Sequence, residues 1–120
     1  MNKERLNVEV VAGSPGEVRL AMRGDVDIAA DEILADAYAT AATRGAERVV
    51  LDFTQVDYIN STGIALIVRL LAEARRDHRS VIAEGLTDHY REIFRITRLS
   101  DYLTIADPQP TTSVPEEAAR

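Results

Sequence analysis

The segment Asn60–Gly63 carries the clearest candidate for chemistry, a serine hydroxyl at the start of a predicted helix. Asparagine, serine and threonine all cap helices, because their side-chain oxygens accept hydrogen bonds from the first backbone N–H groups. A capping role is therefore one interpretation. Phosphorylation of Ser61 is the other, since the positive end of the helix dipole favours a phosphate there by roughly 0.3–1 kcal/mol. The residues alone leave both interpretations open.

Groups that could form a catalytic or metal centre are few and scattered. His78 and His89 lie eleven residues apart in different predicted elements, and we interpret both as surface residues. Asp25 and Asp27 form an acidic pair, but an Asp-x-Asp in a loop more often serves a turn or a helix start. The chain has no cysteine, and no glycine-rich phosphate loop is present. We therefore predict a protein that is not an enzyme and needs no metal or cofactor.

Charge and hydropathy narrow the classes of partner. Twenty acidic against 14 basic residues give a net charge of −6, which argues against nucleic acid because phosphate binding needs a basic face. No apolar run reaches the length of a membrane span, and the N-terminus lacks a signal-peptide core. We expect a cytoplasmic domain over residues 1–106, monomeric when free. Residues 107–120 hold three of the four prolines and are predicted to be disordered.

The positions of apolar residues define the elements that must hold these groups in place. Alternation predicts strands, and recurrence at i, i+3, i+4 and i+7 predicts helices. In the second helix the predicted buried residues are Ile64, Ile67, Val68, Leu71 and Ala74. The predicted strands are Leu6–Ala12, Glu17–Arg23, Arg48–Phe53 and Ser80–Ala83. The predicted helices are Ala29–Thr43, a second that follows the Ser61-Thr62-Gly63 motif and runs from Ile64 to about Arg76, and Thr87–Thr97. Thr54–Asn60 is predicted as a polar loop and Tyr102–Ala106 as the short ending.

The order ββαβαβα, with a short terminal strand or helix, predicts a single-domain α/β fold. Strands that are joined by helices pair in parallel, whereas the first two strands form a hairpin, so the β-sheet is mixed. The handedness of the crossovers places the helices against the sheet in one layer.

Three separated motifs resemble the STAS domain of anti-sigma factor antagonists. They are Gly24-Asp25-Val26-Asp27, then VVLDFTQVDYINSTGIALIV over residues 49–68, and GLTDHYREIFRITRLSDYL over residues 85–103. The resemblance spans residues 6–106 and implies a mixed sheet with helices, in agreement with the predicted order.

The resemblance also implies a function in partner switching. An unphosphorylated antagonist binds an anti-sigma factor that is also a serine kinase, and a sigma factor is freed. The kinase, which binds the ATP, phosphorylates the antagonist and releases it, and a phosphatase resets the system. By position, Ser61 is the phosphoacceptor. The implied partner-binding residues are Asp25, Asp27, Asn60, Ser61, Thr62, Gly63 and Ile64, with Asp52 in a structural role near the site.

Two departures from the family pattern bear on this expectation. The family usually has aspartate before the phosphorylated serine, where this chain has Asn60, and it has glutamate where this chain has Asp25. The alternative function is a phosphorylation-independent STAS subunit of a lipid or anion transport assembly. Asn60 favours the alternative, whereas the Ser61-Thr62-Gly63 motif favours the switch.

Overall fold

The computed structural model describes residues 5–106, so the tail that we predict to be disordered lies outside the described part of the chain. Within residues 5–106, five strands and three helices follow one another in the predicted order. The strands are β1 (Asn7–Ala12), β2 (Glu17–Val26), β3 (Arg48–Ile59), β4 (Ser80–Glu84) and β5 (Thr104–Ile105), and the helices are α1 (Asp31–Thr43), α2 (Ser61–Arg76) and α3 (Asp88–Ile96). Two 3-10 turns, Ile28–Ala30 and Leu99–Asp101, precede α1 and β5.

The sheet is mixed, as predicted, with the strands in the order β1-β2-β3-β4-β5. Among the named strands of the described part, the β1–β2 hairpin is antiparallel, and the β2–β3, β3–β4 and β4–β5 pairings are parallel. Each helix thus connects a strand to its parallel neighbour, always in the same direction across the sheet. Since such crossovers are right-handed, all three helices belong on one face. The single helical layer that we predicted follows from this succession.

Alternating side chains give the sheet one covered face and one open face. Leu20, Leu51 and Ala83 point to the helices and are fully buried in the main core. On the open face, Arg19 of β2 donates to Asp52 of β3 at 3.3 Å and to Glu84 of β4 at 2.7 Å. Charged side chains therefore line the sheet face that lacks helices.

The predicted polar loop Thr54–Asn60 is wrong, because β3 continues to Ile59. This extension pairs with β2 through two register irregularities and ends with Ile59 opposite Val26. Its partner on the other side, β4, stops at Glu84 opposite Asp52. With only one neighbouring strand, the extension keeps Thr54 exposed, which explains its polar composition.

The predicted buried stripe of α2 is wrong at Val68, which is 45% exposed. Gly63, Leu66 and Leu70 are buried instead, together with the predicted Ile67, Leu71 and Ala74. The buried face of α2 is rotated about the helix axis relative to the predicted face, because α2 packs against α1 as well as against the sheet. In the described part of the chain, no helix is both long enough and apolar enough to cross a membrane.

Candidate functional site

Asn60 is the residue that caps α2. Its backbone is extended, and its side-chain Oδ1 accepts a hydrogen bond from Gly63 N at 2.8 Å. Its own N–H donates to the carbonyl of Val26 at 3.2 Å, which ties the helix start to the end of β2. The capping function that the sequence could not assign among three polar residues thus belongs to Asn60.

Ser61 is the first residue of α2, and its side chain is exposed. Within residues 5–106, its hydroxyl takes part in no hydrogen bond. The hydroxyl can therefore react or bind without the loss of an internal contact. A phosphate at this position would lie next to the unpaired N–H groups of the first helical turn.

Gly63 brings the helix start close to β2. A Cβ atom at Gly63 would lie 2.0 Å from the carbonyl oxygen of Val26 and 3.1 Å from Cγ2 of Ile59. Every other residue type would therefore push α2 away from the strands. Gly63 is buried. Its contribution to the predicted partner-binding set is therefore indirect, through the position that it gives to Ser61.

The two aspartates of the acidic pair, Asp25 and Asp27, lie in different environments. Asp27 is only 6% exposed, and its Oδ1 accepts from Ala29 N at 3.0 Å at the start of the 3-10 turn. The interpretation of Asp27 as a helix-start residue is thereby confirmed. Asp25 is half-buried and lies opposite Tyr58 in the β2–β3 register.

Two exposed apolar side chains near Ser61 escaped the sequence analysis. Ile28 is 65% exposed in the 3-10 turn that contacts α2, and Tyr58 is 53% exposed three residues before Ser61. Exposed apolar side chains give a protein partner apolar area to bury. We call Asp25, Ile28, Tyr58, Ser61 and Thr62 the Ser61 surface; none of its members is cationic.

The signal for Tyr58 was present in the sequence but was assigned to a loop. Had the alternation in β3 been extended past Phe53, it would have placed Tyr58 outward and Ile59 inward. Ile28 had no comparable signal, since it follows Asp27 in an irregular turn. Ile64, the last member of the predicted set, is half-buried and packs against the core.

Asp52 lies apart from this group. It lies seven residues before Ile59 at the end of β3, which at about 3.3 Å per residue is roughly 23 Å along the strand. Its Oδ1 accepts from the backbone N–H of Thr54 at 3.0 Å and from the Thr54 hydroxyl at 2.6 Å. Arg19 joins it to Glu84, and the hydrogen bond to Glu84 raises the pKa of Arg19 above its ordinary value. Asp52 therefore orders the middle of the sheet.

Other polar residues give no sign of a metal or catalytic centre in the part of the chain that the structure describes. Residues 5–106 contain no group of three or more histidine, aspartate or glutamate side chains that could hold a metal ion. His78 and His89 are both exposed. At the start of α2 the arrangement presents the exposed Ser61 hydroxyl at the surface.

Comparison with known proteins places this geometry in a family. Residues 10–105 match the family described as Mlab, STAS domain. The protein BtrV of Bordetella bronchiseptica is 28% identical over 92 residues, which cover 77% of this chain and 79% of BtrV. The anti-sigma-B factor antagonist of Bacillus subtilis is 25% identical over 103 residues, which cover 84% of this chain and 93% of that protein.

The fold is shared with a solved antagonist. The anti-sigma factor antagonist SpoIIAA in its unphosphorylated form has a TM-score of 0.67 at 17% identity and covers 86% of this chain and 90% of SpoIIAA. Bacillus SpoIIAA in its phosphorylated form has a TM-score of 0.65 at 18% identity and covers 85% of this chain and 93% of that protein. Since the family model spans most of the chain, this chain belongs to the STAS domain family.

Proposed function

We propose that this protein is a partner switch controlled by phosphorylation of Ser61. With Ser61 unmodified, the Ser61 surface binds an anti-sigma factor that is also a serine kinase. The kinase transfers the γ-phosphoryl group of its own ATP to the Ser61 hydroxyl, and a phosphatase later removes it. The observation that carries the proposal is the exposed Ser61 hydroxyl at the first position of α2, free of the cap that Asn60 supplies.

The expected effect of phosphate on the fold is small. The hydroxyl of Ser61 forms no internal hydrogen bond among the described residues, so its modification breaks none. The positive end of α2 favours the added negative charge by roughly 0.3–1 kcal/mol. Phosphoserine should therefore leave the domain folded.

The expected effect on the complex is large, because the phosphate would be added within the surface that the partner covers. Phosphorylation adds a charge of about −1.5 to −2 beside the exposed Ile28 and Tyr58. A partner that covers these side chains would have to take that charge out of water. A coupling of about 1–3 kcal/mol changes affinity roughly 5–150-fold, which is sufficient to exchange partners.

The test is to incubate the purified protein with candidate anti-sigma kinases and ATP, and to locate phosphate by mass spectrometry. Phosphate is expected on Ser61 in the wild type and in Thr62→Ala, the matched control at the neighbouring hydroxyl. It is expected to be absent from Ser61→Ala. Ser61→Asp should bind the same kinase more weakly by isothermal titration calorimetry. Absence of phosphate from Ser61 with every kinase, together with full binding by Ser61→Asp, would refute the proposal.

A further inference from the structure

Tyr90 of α3 contacts the end of β3 through its hydroxyl. The hydroxyl of Tyr90 accepts a hydrogen bond from Ile59 N at 2.9 Å and lies 3.5 Å from the carbonyl oxygen of the same residue. The ring of Tyr90 is half-buried and packs against the core. Ile59 is the last residue of β3 and stands two positions before Ser61.

The topology explains why this contact exists. In a strand, the N–H and C=O groups of neighbouring residues point to opposite edges. Because Asn60 N donates to Val26 on β2, the polar groups of Ile59 point away from β2, towards the side where β4 has already ended at Glu84. The hydroxyl of Tyr90, as both donor and acceptor, takes the place of the missing strand.

From this geometry we infer that Tyr90 is a positioning residue for the junction between β3 and α2 at residues 59–63, which we call the Ser61 turn. Val26 holds the turn from the β2 side, through Asn60 N and the close approach of Gly63. Tyr90 holds it from the opposite side, through Ile59. With both attachments the Ser61 hydroxyl has one fixed position relative to the Ser61 surface. Without the hydrogen bond between Ile59 and Tyr90, the turn can move while the rest of α2 stays packed.

This role rests on the proposed phosphorylation of Ser61, and it predicts a specific kinetic effect. Tyr90 lies outside the Ser61 surface, so the loss of its hydroxyl should leave kinase docking, and therefore KM, little changed. A nucleophile that is poorly positioned lowers kcat. We expect Tyr90→Phe to lower kcat for Ser61 phosphorylation by about tenfold at nearly constant KM.

The variants to compare are Tyr90→Phe and Tyr102→Phe. Both lose only a phenolic hydroxyl, but Tyr102 is 53% exposed and packs beside Arg75, away from β3. Amide hydrogen exchange, ¹⁵N relaxation and phosphorylation kinetics are measured for each. In Tyr90→Phe, exchange at Ile59 should rise about 5–30-fold and the order parameters of Asn60 and Ser61 should fall, while exchange at Leu51 stays near the wild-type rate. Tyr102→Phe should match the wild type in all three.

The outcomes distinguish a purely stabilising contact of Tyr90 from a positioning role. An unchanged Ile59 exchange rate in Tyr90→Phe would show that the hydrogen bond holds nothing in place. Faster exchange at Ile59 with unchanged kcat would reduce Tyr90 to a stabilising contact and overturn the inference. A wild-type protein that no kinase phosphorylates would instead contradict the proposed function, and rigid Asn60 and Ser61 amides in Tyr90→Phe would then separately refute the positioning role.

Discussion

Gly63→Ala tests whether the Ser61 turn depends on close contact between α2 and β2. The intrinsic preference for a helix favours alanine over glycine by about 1 kcal/mol. The added Cβ, however, would lie 2.0 Å from the Val26 carbonyl oxygen, whereas an ordinary van der Waals contact begins at 3.4 Å. The helix start must move outwards by about 1.4 Å, the difference between these two distances.

That movement has a cost that can be compared with the gain in helix preference. Displacement of the first turn breaks the 3.2 Å hydrogen bond from Asn60 N to Val26, which is worth about 1 kcal/mol. Overpacking of a buried contact costs a further ~1–3 kcal/mol. After the gain of about 1 kcal/mol, we expect the free energy of unfolding to fall by roughly 1–3 kcal/mol.

Urea denaturation, followed by circular dichroism, measures the change through the midpoint at constant m-value. Ala65→Gly, an exposed position two residues further along α2, is the matched control. It should lose about 1 kcal/mol from helix preference alone. A Gly63→Ala protein as stable as the wild type or more stable would refute the close contact. In that case helix preference alone would account for the change in the free energy of unfolding.

Three further predictions concern the cap, the titration of a buried phenol and a strained turn. Asn60→Ala should lose about 1 kcal/mol of unfolding free energy, whereas Ser61→Ala should stay within about 0.5 kcal/mol of the wild type; equal losses in urea denaturation would contradict the assignment of the cap. Burial raises the pKa of Tyr38, so its stabilising contribution is present below the unfolded value of about 10 and disappears as the pH rises through the folded value. Above about pH 10 the wild type should therefore lose stability faster than Tyr38→Phe, and parallel losses would refute this. His78 has φ 62° after the end of α2, so His78→Gly should raise the free energy of unfolding by about 0.5 kcal/mol or more, and a lower melting temperature would contradict the strain.

The sequence was most informative where one physical pattern dominated. Strands such as Glu17–Val26 alternate between core and open face, so their existence followed from period two. The prediction failed where the tertiary context changed the burial of an element. The β3 extension has one neighbouring strand instead of two, and its polar composition therefore resembled a loop. Val68 was assigned to the core because the helical period alone could not show that α2 also packs against α1.

In the candidate site, too, the sequence pattern predicted some features and the tertiary context determined the others. Helix-start chemistry identified the segment Asn60–Gly63, but three adjacent polar side chains are equivalent as capping residues until their backbone angles are known. Ile28 and Tyr58 became recognisable as surface residues only when their exposure was known. The helical period of α3 is enough to place the ring of Tyr90 on the side of the core, against which it packs half-buried. The hydroxyl that reaches Ile59 could not be inferred without the position of α3 relative to the end of β3.

Asn60 in place of the family's usual aspartate is consistent with this arrangement of the helix start. The cap requires a side-chain oxygen that accepts from Gly63 N, and an amide supplies one as well as a carboxylate does. A neutral amide also places no like charge next to a phosphate on Ser61, whereas a carboxylate there would repel it. Because the cap and the free hydroxyl belong to different residues, phosphorylation would act against almost none of the contacts that keep the domain folded. The unfavourable free energy that the phosphate introduces would then act almost entirely on the interface with the partner.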